Sequence, residues 1–294
     1  MHEPGACGIL PEVPLTDHID LKADVVNLEL SPGNGLFYEH AEPSSEGGAT
    51  FVFFNALSGS TQMWTDTVGT ALMDAGHGLL LYNLRGQEGS PFTDAEALAE
   101  PAIVSDAVAL MHAVKPRNPV YVGLSIGGLF AVKAHFGGAP ARAIATINTM
   151  RKPGVRLDWI NTAVARAAET GGSALLMDLY APMLFAEAWM AENRAGALDS
   201  ANYVPADRAS GSYGLLAGGA DADWNVAWSK VDVPVSVITG LKDRVFYVEE
   251  DVADIVAQLP DAVRVDVPDA GHMVPLERAD AVSDALLSLA GRLG

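Results

Sequence analysis

Two rhythms of apolar residues divide this chain. The first consists of short, nearly unbroken apolar runs bounded by turn residues: Thr50–Phe54, Gly78–Asn83, Asn118–Val122, Ala143–Asn148, Val235–Thr239 and Val263–Val267. Runs of this length, rich in β-branched and aromatic residues, predict strands buried on both faces. Between them lie segments that suit helices: from Trp64 to Ala75, from Asp94 or Pro101 to Ala113, Leu129–Phe136, Val248–Gln258 and Leu276–Leu293. Strands alternating with helices predict a mostly parallel sheet covered on both faces. Ahead of it, Val25–Leu30 and Leu36–His40 flank a Pro- and Gly-containing turn and predict a hairpin.

The second rhythm runs from Met150 to about Lys230, where strand-like runs vanish. Leu157–Glu169, Ser173–Ala181 and Met183–Ala195 carry apolar faces at helical spacing. Gly211–Gly219 reads as loop and Ala220–Trp228 as helix. The expected organisation is a core of residues 1–151 and 230–294 with a helical lid, residues 152–229, inserted in it. Residues 1–20, rich in Pro, Gly and acids without a period, read as an irregular arm.

The candidate chemistry sits at one strand-to-helix junction. Gly123-Leu124-Ser125-Ile126-Gly127 lies between the strand ending at Val122 and the helix beginning near Leu129. That is the context a nucleophile elbow needs. A tight turn would hold Ser125 in a strained backbone conformation, and a Cβ at Gly123 or Gly127 would crowd the neighbouring helix or strand. The Ile126 amide, at a helix N-terminus, would face a developing oxyanion.

A serine hydroxyl is a poor nucleophile at neutral pH and needs a base. Two later residues suit the task. Asp243 follows the strand Val235–Thr239, and His272 follows the strand Val263–Val267. Both, like Ser125, fall beyond the carboxyl ends of their strands, where open α/β sheets build their sites. The order Ser, acid, His assigns His272 as base and Asp243 as the group that orients it. The rival place for the acid, after the Ala143–Asn148 strand, holds Thr149, Met150 and Arg151, with no carboxylate before Asp158. A second oxyanion donor is expected in the loop after Thr50–Phe54, at the amide of Leu57.

Gly-Leu-Ser-Ile-Gly-Gly, Gly-Leu-Lys-Asp and Ala-Gly-His-Met-Val-Pro-Leu-Glu resemble the motifs of the α/β-hydrolase superfamily, over nearly the whole chain beyond the N-terminal arm. Within it the chain looks most like the 3-oxoadipate enol-lactonase group, which shares the Asn55-Ala56-Leu57 loop and the Met63-Trp64 pair that follows. The resemblance implies an α/β-hydrolase fold and a Trp-containing lid helix, matched by Trp159 as a pocket residue. Two positions depart from the group: Glu88 in the Arg-Gly-x-Gly-x-Ser loop, and Asn161-Thr162 where its lid helix has an Arg.

Composition narrows the function classes. The chain has 294 residues, 49% of them hydrophobic, enough for a large core. A net charge of −19 repels nucleic acid and anionic membranes, and works against long-range steering of anionic substrates, although a local Arg could still bind one. Cys7, the single cysteine, makes no internal disulfide or metal cluster. The start lacks the features of a signal peptide, which with Cys7 points to the cytoplasm. Seven scattered histidines without paired-ligand spacing, and no phosphate-cradling Gly-rich loop, imply no cofactor. The expected partner is a small-molecule ester or lactone. Cleavage of a C–C bond or amide, perhydrolysis, and ligand binding without turnover remain open with the same triad.

Overall fold

The computed structural model describes residues 24–293, the first three by their backbone alone. The N-terminal arm and Cys7 lie outside the described residues. In chain order the elements are β1 (Asp24–Ser31), β2 (Asn34–Ala41), β3 (Thr50–Phe54), α1 (Thr61–Trp64), α2 (Thr70–Asp74), β4 (Gly78–Tyr82), α3 (Glu100–Val114), β5 (Pro119–Leu124), α4 (Ile126–Phe136) and β6 (Ala143–Ile147). They continue with α5 (Val155–Leu184), α6 (Glu187–Asn193), α7 (Gly211–Ala220), β7 (Val235–Gly240), α8 (Glu249–Val256), β8 (Ala262–Val267), α9 (Val274–Glu277) and α10 (Ala279–Gly291).

The strands form one sheet in the order β1-β2-β4-β3-β5-β6-β7-β8. β1 and β2 pair antiparallel, as does β2 with β4; every other neighbouring pair is parallel. Side-chain alternation sends Val52, Phe54, Leu80, Tyr82 and Tyr121 to one core with α3, α4 and α8. Phe51, Phe53, Leu79, Leu81 and Val122 go to the other, with α1 and α10. Burial on both faces explains why the central strands are apolar at almost every position. The chain therefore has the α/β-hydrolase fold. Among the described residues, no helix is long and apolar enough to cross a membrane.

Four local expectations are corrected. Gly211–Gly219 is helix, not loop, and the chain after it is irregular apart from a short turn at Trp228–Lys230. The glycines of α7 serve close approach: a Cβ on Gly211, Gly214 or Gly218 would meet the carbonyl oxygens of Gly86, Ala95 and Leu98 at 2.0, 2.5 and 2.3 Å. Helix α5 keeps the expected break, at Gly171 and Gly172, but its second part runs through Pro182 to Leu184, where a new helix had been expected to start at Met183. The helix near Trp64 passes through a π-type turn at Thr65–Gly69. The last helical segment is split at Arg278, whose φ of −148° is not helical.

Candidate active site

At the end of β5 the chain turns directly into α4, and Ser125 makes the turn with φ 57° and ψ −124°. For a residue bearing a Cβ, this backbone costs about 1–3 kcal/mol. The neighbours hold it there. The Ser125 amide donates to the Ile147 carbonyl at 2.8 Å. The Thr149 hydroxyl donates to the Ser125 carbonyl at 2.8 Å. The flanking glycines are steric necessities: a Cβ on Gly123 would lie 2.3 Å from the Gly128 nitrogen, and one on Gly127 2.2 Å from the Phe54 oxygen.

His272 and Asp243 meet beside this turn. Nδ1 of His272 lies 2.6 Å from Oδ2 of Asp243, and both residues are buried. Oδ1 of Asp243 accepts from the amides of Val245 and Phe246, each at 2.9 Å. Burial works to raise the Asp243 carboxyl, but the charge and hydrogen bond of His272, the Phe246 amide and the Arg151 charge outweigh it. The carboxyl is held below the usual carboxylate range. Asp243 thus stays ionised and fixes which face of the imidazole is turned away from it.

Asn148, at the end of β6 with φ 47°, clamps the two loops together. Its Nδ2 donates to the carbonyls of Gly271 and His272, and its Oδ1 accepts from the Gly240 amide, all at 2.8 Å. The helical insertion joins the same knot. The Arg244 amide donates to the Met183 carbonyl, and the His272 amide to the Leu184 carbonyl. Glu277 ties Gly271 to the start of the next segment by accepting from the Gly271 and Ala186 amides.

The loop after β3 is held by a buried polar network. Asn55 receives the Trp64 indole N–H at 2.7 Å and donates toward the Tyr82 carbonyl, Asn83 and Gln87. Nε2 of Gln87 donates to the carbonyls of Ala56 and Leu57. The loop carrying Gln87 is anchored by a paired contact of Arg85 with Asp106 on α3. Among the described residues, the amides of Leu57 and Ile126 donate to no protein acceptor, and both residues line one cavity with Ser125 and His272.

That cavity, of about 150 Å³, is closed by Asn161, Val164, Leu176, Met177, Tyr180 and Leu184 of α5, together with Leu216 and Trp224. Trp159 does not line it. Its side chain is 76% exposed, one turn from Val155 on the outer face of α5. Helical geometry explains the correction: Asn161 and Val164 fall on the inward face, and Trp159 does not.

Two residues that shape the site, Arg151 and Asn148, escaped sequence reasoning as candidates. Arg151, three residues beyond the carboxyl-terminal Asn148, turns back beneath Ser125, and its Nη2 donates to Ser125 Oγ at 3.0 Å. Among the described residues, no hydrogen bond joins Ser125 to His272. The available signal was its place beyond a central strand, the same signal that singled out Asp243 and His272. Asn148 carried that signal too.

The sequence model of the alpha/beta hydrolase family matches residues 51–285, which includes all of these groups. The chain belongs to the alpha/beta hydrolase family. Alpha/beta hydrolases of known structure superpose closely. A thermophilic esterase from Thermogutta terrifontis matches with a TM-score of 0.74 at 19% identity, over 92% of this chain and 99% of that one. The enol-lactonase from Burkholderia xenovorans LB400 matches with a TM-score of 0.73 at 22% identity, over 88% and 97%. At these identities the likeness concerns the fold. A curated Variovorax paradoxus (strain S110) protein named "Putative carbamate hydrolase RutD" is 25% identical over 171 residues, 58% of this chain. The alignment spans 63% of that relative's length.

Proposed function

We propose that this alpha/beta hydrolase cleaves a small carboxylic ester or lactone through an acyl-enzyme on Ser125. One observation carries the reading: the strained Ser125 opens onto a cavity shared with His272, whose far ring nitrogen is fixed by a buried, ionised Asp243. In this reading the Ser125 hydroxyl turns from Arg151 toward His272, which takes its proton as Oγ attacks the carbonyl carbon. Catalytic hydrogen bonds that close only in the substrate complex are common. The free amides of Leu57 and Ile126 receive the oxyanion, with the Asn55–Gln87 network holding the first of them in place. His272 returns the proton to the leaving oxygen, then activates the water that releases the acid.

Residues 152–229 act in this scheme as a lid. Its inner face is mostly apolar, so it excludes bulk water and sets substrate size. The names of the similar esterase, enol-lactonase and carbamate hydrolase fit hydrolysis at a carbonyl centre.

The test pairs wild type with Ser125→Ala on short esters and lactones, followed by labelling with a fluorophosphonate. We expect at least about a 10⁴-fold loss of kcat in the variant, and labelling of Ser125 in wild type alone. Turnover that survives the substitution would sink the mechanism. Labelling without hydrolysis of any ester or lactone would redirect the search to amide, C–C bond or carbamate substrates.

A further inference from the structure

Arg151 is an unusual charge to bury. It is only 5% exposed, and among the described residues it forms no ion pair. Its Nη2 donates to Asn148 O at 2.8 Å and to Ser125 Oγ at 3.0 Å, and its Nε to Thr149 O at 3.4 Å. Its Nη1 has no protein acceptor among the described residues. The guanidinium packs against the rings of Phe246 and Trp224, at 4.0 and 4.5 Å from their centroids. These contacts fix its plane without neutralising it. Burial lowers its pKa to about 10, so it remains a cation at neutral pH.

The surroundings do not absorb that charge. The carboxylate that acts on it electrostatically is Asp243, both of whose oxygens are already engaged by His272 and two amides. The cavity lining contains Arg151 and no Asp or Glu. Trp224, also in the lining, has a buried indole N–H with no acceptor. A buried guanidinium with free donor capacity facing an acid-free cavity lacks what normally offsets its desolvation. With a formal net charge of −19, the long-range field does not gather anions. Any preference for one is therefore made locally.

We propose that Arg151 is a specificity-determining residue that receives a carboxylate carried by the substrate within a few bonds of the scissile carbonyl. Its Nη2 ties down the Ser125 hydroxyl, and the incoming carboxylate draws it off. The planar fork sets the reach: Nη1 and Nη2 belong to one rigid group, and Nη2 already touches the attacking oxygen. The substrate class is an ester bearing a short carboxylate arm, such as a hemiester of a short dicarboxylic acid. The proposal rests on Ser125 being the nucleophile.

The experiment uses matched ester pairs that differ only in charge: monoethyl malonate and monoethyl succinate against their ester amides, and acetoxyacetate against acetoxyacetamide. Wild type should prefer the carboxylate member of at least one pair by about 10-fold or more in kcat/KM, the worth of a charge-assisted hydrogen bond. Arg151→Met should erase that preference, mainly through KM, while fluorophosphonate labelling of Ser125 speeds up several-fold as the hydroxyl is freed. Arg151→Lys should keep part of the preference. Wild type that labels at Ser125 but favours no carboxylate overturns the proposal alone, whether or not the variants fold. Equal losses for charged and neutral esters in Arg151→Met also overturn it. Failure of Ser125 to label, with no hydrolysis, overturns the serine-hydrolase reading and this proposal together.

Discussion

On the β3 side of Ser125, the buried polar side chains are bonded to protein. Asn55, Asn83, Gln87 and the Trp64 indole satisfy one another and the loop carbonyls, and what remains free toward the cavity, among the described residues, is the backbone N–H of Leu57 and the exposed Ser58 hydroxyl. On the β6 side, Arg151 and Trp224 keep donors without protein acceptors. A saturated network makes a rigid wall, suited to holding an amide where charge develops during reaction. A wall with free donors is incomplete until a ligand arrives. In the proposed reading the first serves the chemistry common to all substrates, and the second chooses among them.

The comparison can be broken by substitution. The largest effect is expected where both walls serve the same group. Asp243→Asn should lower kcat by about 10³–10⁴-fold with little change in fold, because the imidazole loses its orienting charge. The same substitution tests the electrostatics. A carboxyl held below its unfolded value, about 3.9, stabilises the protein fully above that value and loses the contribution as pH falls through the folded one. Thermal melts between pH 2 and 5 should therefore fall less steeply with acid in Asp243→Asn than in wild type. A steeper fall in the variant would contradict the depressed carboxyl.

Next in size is the β3 wall. Asn55→Ala removes an acceptor from the buried Trp64 N–H and should destabilise by about 2–3 kcal/mol. It should lower kcat by about 10–100-fold for charged and neutral esters alike. If Asn55→Ala instead separated the two ester classes, as Arg151 variants are expected to do, the division of labour would be wrong. The smallest effect is expected outside both walls. Trp159→Ala, on the exposed face of α5, should change stability by no more than about 0.5 kcal/mol and leave kcat/KM for short esters as it was. A marked rise in KM would return Trp159 to the pocket.

Much of this was legible before any coordinates. The central strands announced themselves because burial on both faces demands unbroken apolar runs, and Ser125 because its turn admits only glycine at positions 123 and 127, two residues to each side. Where local composition and tertiary packing disagree, packing prevails. The glycines of α7 read as loop yet form a helix, since they let it rest on the backbone of residues 86–98. Trp159 read as pocket wall, yet a helix places residues by angle, and its angle points outward.

The amino-acid pattern alone carried the alternation of strands and helices in the core, the strand-to-helix turn at Ser125, and the succession of Ser125, Asp243 and His272 at strand ends. These depend on short-range sterics and on burial patterns repeated within a few residues. Tertiary contacts alone make Asn148 clamp the Asp243 and His272 loops, let the carbonyls of α5 hold those same loops, and fold Arg151 back beneath Ser125 with a donor to spare. Whether a buried donor is satisfied depends on every segment that converges on it, here from β6, β7 and the helical insertion at once. No window of sequence contains that sum.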